Sequence, residues 1–149
     1  MSAGTLDPRG VRFTAALTSA ILALGLLTAS WRVLAAQTLL FALCAFIGMK
    51  LNPWGYVYRQ AVQPRLDPVP VAEREDPAPV RFSQGVGFVF TLVATVGYAA
   101  GLTSLGLVAN AFALAAALLN AVFGYCLGCQ LYLVVRRVAP AGWSTSDTR

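Results

Sequence analysis

A chain of 149 residues suits one domain, and a hydrophobic share of 58% against 11% charged residues leaves too little polar side chain to coat a water-soluble surface. The fold class this implies is all-α integral membrane, with four transmembrane helices arranged as two parallel-repeat helical hairpins. The net charge of +5 comes without aromatic residues interleaved among the basic ones, which excludes a single-strand nucleic-acid binder; in a membrane protein, basic residues mark the cytoplasmic side instead.

In chain order, Asp7-Pro8 is a helix-start signal, with Asp as N-cap and Pro at the first helical position. The first expected span is 14–30. A secretory signal peptide with Thr28-Ala29-Ser30 as cleavage site is the competing reading, and the internal repeat below argues against it. Trp31-Arg32 links to the second span, 33–49. Asn52-Pro53 cannot continue a helix comfortably, so the second segment stops or kinks there and Tyr56 to Val62 forms a short interfacial helix. Gln63 to Val80 is polar and Pro-rich, a connector lying on the membrane surface. The third span is 82–102, with Gly97 and Gly101 in a GxxxG that permits close helix contact. The fourth is 105–135, where Ala109, Ala113, Ala117 and Ala121 make a groove for a neighbouring helix. Ala139 to Arg149 is a small, polar tail.

The halves repeat within a single membrane domain, 1–149. Asp7-Pro8-x-x-Val11-Arg12-Phe13 returns as Asp76-Pro77-x-x-Val80-Arg81-Phe82, a shift of 69. Gly48, Leu51, Tyr56, Val62 and Pro64 then match Gly124, Leu127, Tyr132, Val138 and Pro140, a shift of 76. Repeat 1 is 7–64 and repeat 2 is 76–140, two spans each, related by an axis along the membrane normal. In a four-span arrangement every basic residue but Arg32 lies on one side, so both termini are expected in the cytoplasm of a bacterial cell, with the chain multi-pass in the inner membrane.

The chemistry-bearing pattern is Cys126-Leu127-Gly128-Cys129, ending a long apolar run. On an unbroken helix the two cysteines share a face, close enough to co-ligate a metal or, with adjustment, to bridge. The 76-residue shift sets them opposite Lys50 to Pro53, where the first half breaks its helix. A matching break at Gly124 or Gly128 would put the pair at a helix N-terminus, which lowers a thiol's pKa and makes it a better nucleophile. Three uses follow: a dithiol–disulfide couple, a persulfide carrier, or a soft-metal (Cu or Zn) thiolate site. The bland alternative is two small residues on a packed helix. In a reducing cytosol a permanent staple is not expected.

Cys44, mid-span, reads as packing and as too deep to bridge either partner. Asn110 and Asn120 face the bundle interior or a partner, as helix–helix glue in preference to a ligand site, and Gln37 reads the same way. Arg12 and Arg81 either pair across the pseudo-axis with Asp76 and Asp7, or snorkel and cap. Trp54 and Tyr132 suit an aromatic belt. There is no histidine, and no acidic residue lies inside any span, which disfavours a haem subunit or a proton-relay transporter.

The order D-P-x-x-x-R-F at Asp7–Phe13, Leu51-Asn52-Pro53 before an interfacial stretch, Arg81-Phe82, and Cys126-x-Gly128-Cys129 resembles a family of small bacterial membrane proteins catalogued as a domain of unknown function. The likeness covers nearly the whole chain. It implies a four-helix membrane protein and supplies no activity, and the layout is loosely similar to DoxX-like proteins tied to thiol and sulfur redox. Two readings stand. In one, Cys126 is the attacking and Cys129 the resolving thiol of a thiol-redox or sulfur-handling protein. Its partner is a soluble thioredoxin-like or sulfur-transfer protein, with a quinone or a soft metal as the cofactor candidates. In the other, the chain is a non-catalytic accessory subunit of a larger membrane complex.

Overall fold

The computed structural model describes residues 7–48, 52–68, 70 and 77–138, and it is helical throughout, with no strand among the described residues. Asp7 caps the first helix, α1 (Pro8–Thr28), its side chain accepting the Arg9 backbone N–H at 2.9 Å. Ala29 takes a left-handed conformation that ends α1. The chain then returns as α2 (Trp31–Ala42), whose last turn widens into a π-helical stretch, Leu43–Ile47. A short helix, α3 (Pro53–Val57), runs on through a second π-helical turn, Tyr58–Val62, and a 3-10 turn, Gln63–Arg65. The second half comprises α4 (Pro77–Ala99), α5 (Thr103–Phe123) and α6 (Leu127–Val138).

Three of these helices, Pro8–Thr28, Ala78–Ala99 and Thr103–Phe123, are long and apolar enough to cross a membrane. At about 1.5 Å per residue the 21 residues of α1 rise about 31 Å, matching a hydrocarbon core of about 30 Å. The fourth apolar segment, Trp31–Ile47, is shorter.

Several boundaries differ from the sequence reading. The first and third helices start earlier than 14 and 82, at Pro8 and Pro77, each with a proline in its first turn ahead of the apolar run. The apolar run expected as one span over 105–135 is two helices: Gly124 has φ +68, a left-handed turn that ends α5 and that a side chain would resist. The GxxxG also divides. Gly97 lets α4 approach Gly106, where an added Cβ would stand 2.7 Å from the Gly106 nitrogen, but Gly101 sits in the turn with φ +82. The connector is shorter than 63–80, since α4 begins at Pro77. Lys50, Leu51, Asp76, Pro140 and the tail lie outside the described residues.

The helices pack unequally along their length. At the end holding the two tight turns, Leu22, Leu34, Ala94, Ala109 and Ala113 form a close core. The small face of α5 is therefore used within the chain, with Ala109 and Ala113 both buried. Asn110 and Gln37 are buried here as expected, but not as hydrogen-bonding glue. Asn110 is fully buried, packs against Gly25 and leaves both amide atoms without a partner, as Gln37 leaves its Oε1. At the opposite end, where α1 and α4 begin and α3 and α6 lie, the bundle opens.

Candidate functional site

The site forms where α5 gives way to α6. The left-handed turn at Gly124 lets the Tyr125 N–H reach back to the Leu119 carbonyl at 3.3 Å. Arg12 of α1 crosses to this turn and donates from Nη2 to the carbonyls of Ala121 and Val122 at 3.2 and 3.0 Å. A cation on the exposed carbonyls of a helix C-terminus is favourable. Thus Arg12 caps a helix; the pairing expected with Asp76 lies outside the described residues. Arg81 does the same elsewhere, donating from Nη2 to the Ala45 carbonyl in the π-helical end of α2 at 2.9 Å.

With the helix broken, Cys126 becomes the cap of α6. Its Sγ accepts the Cys129 backbone N–H at 3.2 Å, while the Cys126 carbonyl accepts the Gln130 N–H at 3.1 Å. The two sulfurs of Cys126 and Cys129 sit at disulfide-bonding distance, with their Cα atoms 5.2 Å apart. Cys44 is a free, buried thiol and takes no part. A third residue meets the pair: Ser83 of α4 places its Oγ 3.4 Å from Cys126 Sγ. Gly128 makes this possible, since a Cβ there would lie 2.6 Å from the Ser83 Cα. Only a bare backbone allows α6 to lie so close on α4. Tyr132, one turn on, is 5% exposed and packs its ring on Phe82 at 5.5 Å between centroids, so it faces inward and not into an aromatic belt.

Among the described residues no group of three or more His, Cys, Asp or Glu side chains gathers to hold a metal. The pair offers two sulfurs to a soft metal, half the usual tetrahedral set.

Beside Cys126 lies a cavity of about 1120 Å³, running from the open end into the bundle between α1, α4 and α5. Small-molecule sites span roughly 300–1,000 Å³, so this one is ample. Its wall includes Cys126, Ser83, Gln84 and Asn120 towards the open end, and Phe90 and Phe112 further in. Val80 and Phe90, both lining it, stand about 15 Å apart along α4.

The rim carries a polar cluster that the sequence reading missed. Asp7 Oδ2 accepts the Tyr58 hydroxyl at 2.9 Å and pairs with Arg9 Nη2 at 3.2 Å. Burial alone would raise the Asp7 carboxyl. The side-chain and backbone hydrogen bonds from Arg9, and that from Tyr58, outweigh it and hold the group below its ordinary value. Burial, then the hydrogen bond to Asp7, pushes the Tyr58 phenol up. Asp7 is therefore engaged by Arg9 and Tyr58, and not by Arg81. A pairing 51 residues apart leaves no spacing signal to read.

The family model described as "Domain of unknown function (DUF4395)" matches residues 6–137 of the chain. No curated protein and no solved structure matches it.

Proposed function

The chain belongs to the DUF4395 family, and we propose that it is a multi-pass membrane protein whose Cys126–Cys129 pair cycles between dithiol and disulfide in exchange with a soluble, thioredoxin-like protein. The observation that carries this reading is the placement of Cys126. Its sulfur caps a helix N-terminus, lies at bonding distance from Cys129 and lines a cavity. A helix N-terminus favours the thiolate, the form that exchanges.

The exchange balances without any further reagent. A thiolate of the partner attacks one sulfur of the disulfide, and the other sulfur leaves as a thiolate and takes a proton. The partner's second thiolate then resolves the mixed disulfide, so two electrons pass from partner to pair. In the reduced pair, Cys126 attacks and Cys129 resolves.

Orientation follows from charge. Arg9, Arg12, Arg59, Arg65, Arg81, Arg136 and Arg137 belong to segments at the open end, while Arg32 belongs to the other. The positive-inside rule puts the open end, with the pair, in the cytoplasm of a bacterial inner membrane.

The test uses full-length protein in a Cys44→Ala background, equilibrated with mixtures of a dithiol and its disulfide and then trapped with a heavy maleimide. The expected result is loss of two labels together along a two-electron curve, with rapid labelling of Cys126 at a pH below the free-thiol range in a Cys129→Ser variant. Labels lost one at a time, or no labelling of either thiol in folded protein, would overturn the reading.

A further inference from the structure

Resting on the exchange just described, we infer that the cavity beside Cys126 takes a lipid-soluble quinone, which withdraws the electrons and restores the disulfide. A dithiol left by exchange needs an oxidant at the site. The cavity wall brings the Cys126 sulfur into contact with a space that runs about 15 Å inward along α4, between helices long enough to cross a membrane. A carrier dissolved in lipid reaches such a depth, whereas a charged soluble oxidant would have to shed its water.

The lining has the two characters that a quinone has. Gln84 and Asn120 stand on the wall towards Cys126, offering amide N–H groups for ring oxygens. Deeper in, the wall is aromatic and aliphatic, suited to an isoprenoid chain. Gly87 is part of this design: a Cβ there would meet the Phe41 ring at 2.8 Å, so its absence lets that ring lie flat on α4 as a floor. Phe90 and Phe112 line the cavity and are also exposed on the outer surface, their ring centroids 6.1 Å apart. Being on both surfaces, they mark the side of the bundle from which a lipid-borne molecule would enter, by a swing of the two rings.

The step balances in two moves. The Cys126 thiolate adds to a ring carbon of the quinone, forming a carbon–sulfur bond, and one ring oxygen takes a proton. The Cys129 thiolate then attacks Cys126 Sγ. The sulfur–sulfur bond forms as the carbon–sulfur bond breaks, its electron pair passes to the ring, and the second oxygen takes a proton. The pair loses two electrons and two protons, and the quinone leaves as hydroquinone. Ser83 Oγ, 3.4 Å from Cys126 Sγ, is placed to hold the attacking sulfur.

The experiment uses full-length, pre-reduced Cys44→Ala protein in detergent micelles without oxygen. The probe is a benzoquinone with one isoprene unit, compared with a water-soluble quinone sulfonate. Hydroquinone is followed by absorbance and thiols by maleimide mass shift, and exchange with a soluble dithiol is measured on the same samples. One hydroquinone per pair of thiols lost is expected, faster for the isoprenoid quinone than for the sulfonate. Ala116→Phe fills the cavity from α5 and should lower the ratio of quinone reduction to dithiol exchange about a hundredfold. Ala117→Leu, a smaller intrusion, should lower it less. Normal dithiol exchange with no hydroquinone, with equal rates for the two quinones, or with an unchanged ratio in both variants overturns this inference and leaves the exchange reading standing. Failure of dithiol exchange itself overturns both.

Discussion

Two helix starts at the open end of the bundle do the same job with different atoms. Asn52 caps α3, its Oδ1 accepting the N–H groups of Trp54 and Gly55 at 3.0 and 3.5 Å. Cys126 caps α6, its Sγ accepting the N–H of Cys129 at 3.2 Å. Asparagine is among the best N-cap residues; cysteine is not one of the favoured set. Capping therefore does not explain a sulfur at 126, and three positions on, where the first half has Gly55 with no side chain, the second has Cys129. What the second half adds is a pair of sulfurs at disulfide-bonding distance, which on the proposed reading bonds and unbonds. We read the two halves as one plan used twice, and the contacts support it. Arg12 and Arg81, 69 residues apart, reach carbonyls of Ala121 and Ala45, 76 residues apart in the reverse sense. Phe13 packs on Tyr58 as Phe82 packs on Tyr132.

The comparison is broken most directly by exchanging the two caps. Cys126→Asn should abolish thiol cycling completely yet keep α6, since an amide restores the cap. The stability change should stay within about 2 kcal/mol, the sum of a better cap and a lost short-loop bridge. Melting in detergent and maleimide counting decide it; a variant that fails to fold would show the sulfur to be structural. The converse builds the pair in the first half. Asn52→Cys with Gly55→Cys, in a background lacking Cys126 and Cys129, should form a bridge on mild oxidation. Two thiols that stay free would count against equivalence of the two starts.

The sequence made the helices, the break at Asn52-Pro53 and the closeness of Cys126 and Cys129 legible, because hydropathy, proline and cysteine spacing are local signals. It misjudged the register. A constant shift of 76 sets Cys126 against Lys50, whereas capping and ring contacts set Cys126 against Asn52 and Tyr132 against Tyr58, a shift of 74. Four positions lead from Gly48 to Asn52 but two from Gly124 to Cys126, so the first break is two residues longer. Ser83, the Asp7–Tyr58 contact and the cavity were illegible because each joins residues from distant helices, and their closeness depends on backbone approach at Gly128 and similar points.

Asp7 is the next largest lever. Its side chain is 8% exposed and accepts from both Arg9 and Tyr58. Asp7→Asn keeps an N-cap but removes the charge, at a cost of about 1–3 kcal/mol. The first half has this acid-anchored contact; for the second half, Asp76 lies outside the described residues. Because the folded carboxyl titrates below its ordinary 3.8, its contribution is full above that value and is lost as pH falls through the folded one. Melting temperature against pH should therefore show an acid-side decline that is shallower in Asp7→Asn. Equal declines in both proteins would assign the acid sensitivity to other carboxylates.

The smallest effects belong to the two crossing arginines, and they probe the shared plan most finely. Arg12→Met and Arg81→Met each keep an apolar stem and remove a cation from helix-end carbonyls. Both side chains are in exposed hydrogen bonds, so each should cost only about 1 kcal/mol. Near-equal losses are what one plan used twice requires. Their effect on the cysteines should differ, however, because the ends they cap lead to different caps. The Arg12 side chain lies against Gly124, where an added Cβ would stand 3.6 Å from Arg12 Cδ. Removing it loosens the turn that delivers Cys126 to the start of α6. Arg81 secures the end of α2, ahead of Asn52. Maleimide labelling of the reduced pair should accelerate more in Arg12→Met than in Arg81→Met, at similar cost in melting temperature. Equal acceleration would mean that the open end moves as one body, and that the turn at Gly124 does not by itself hold the pair in place.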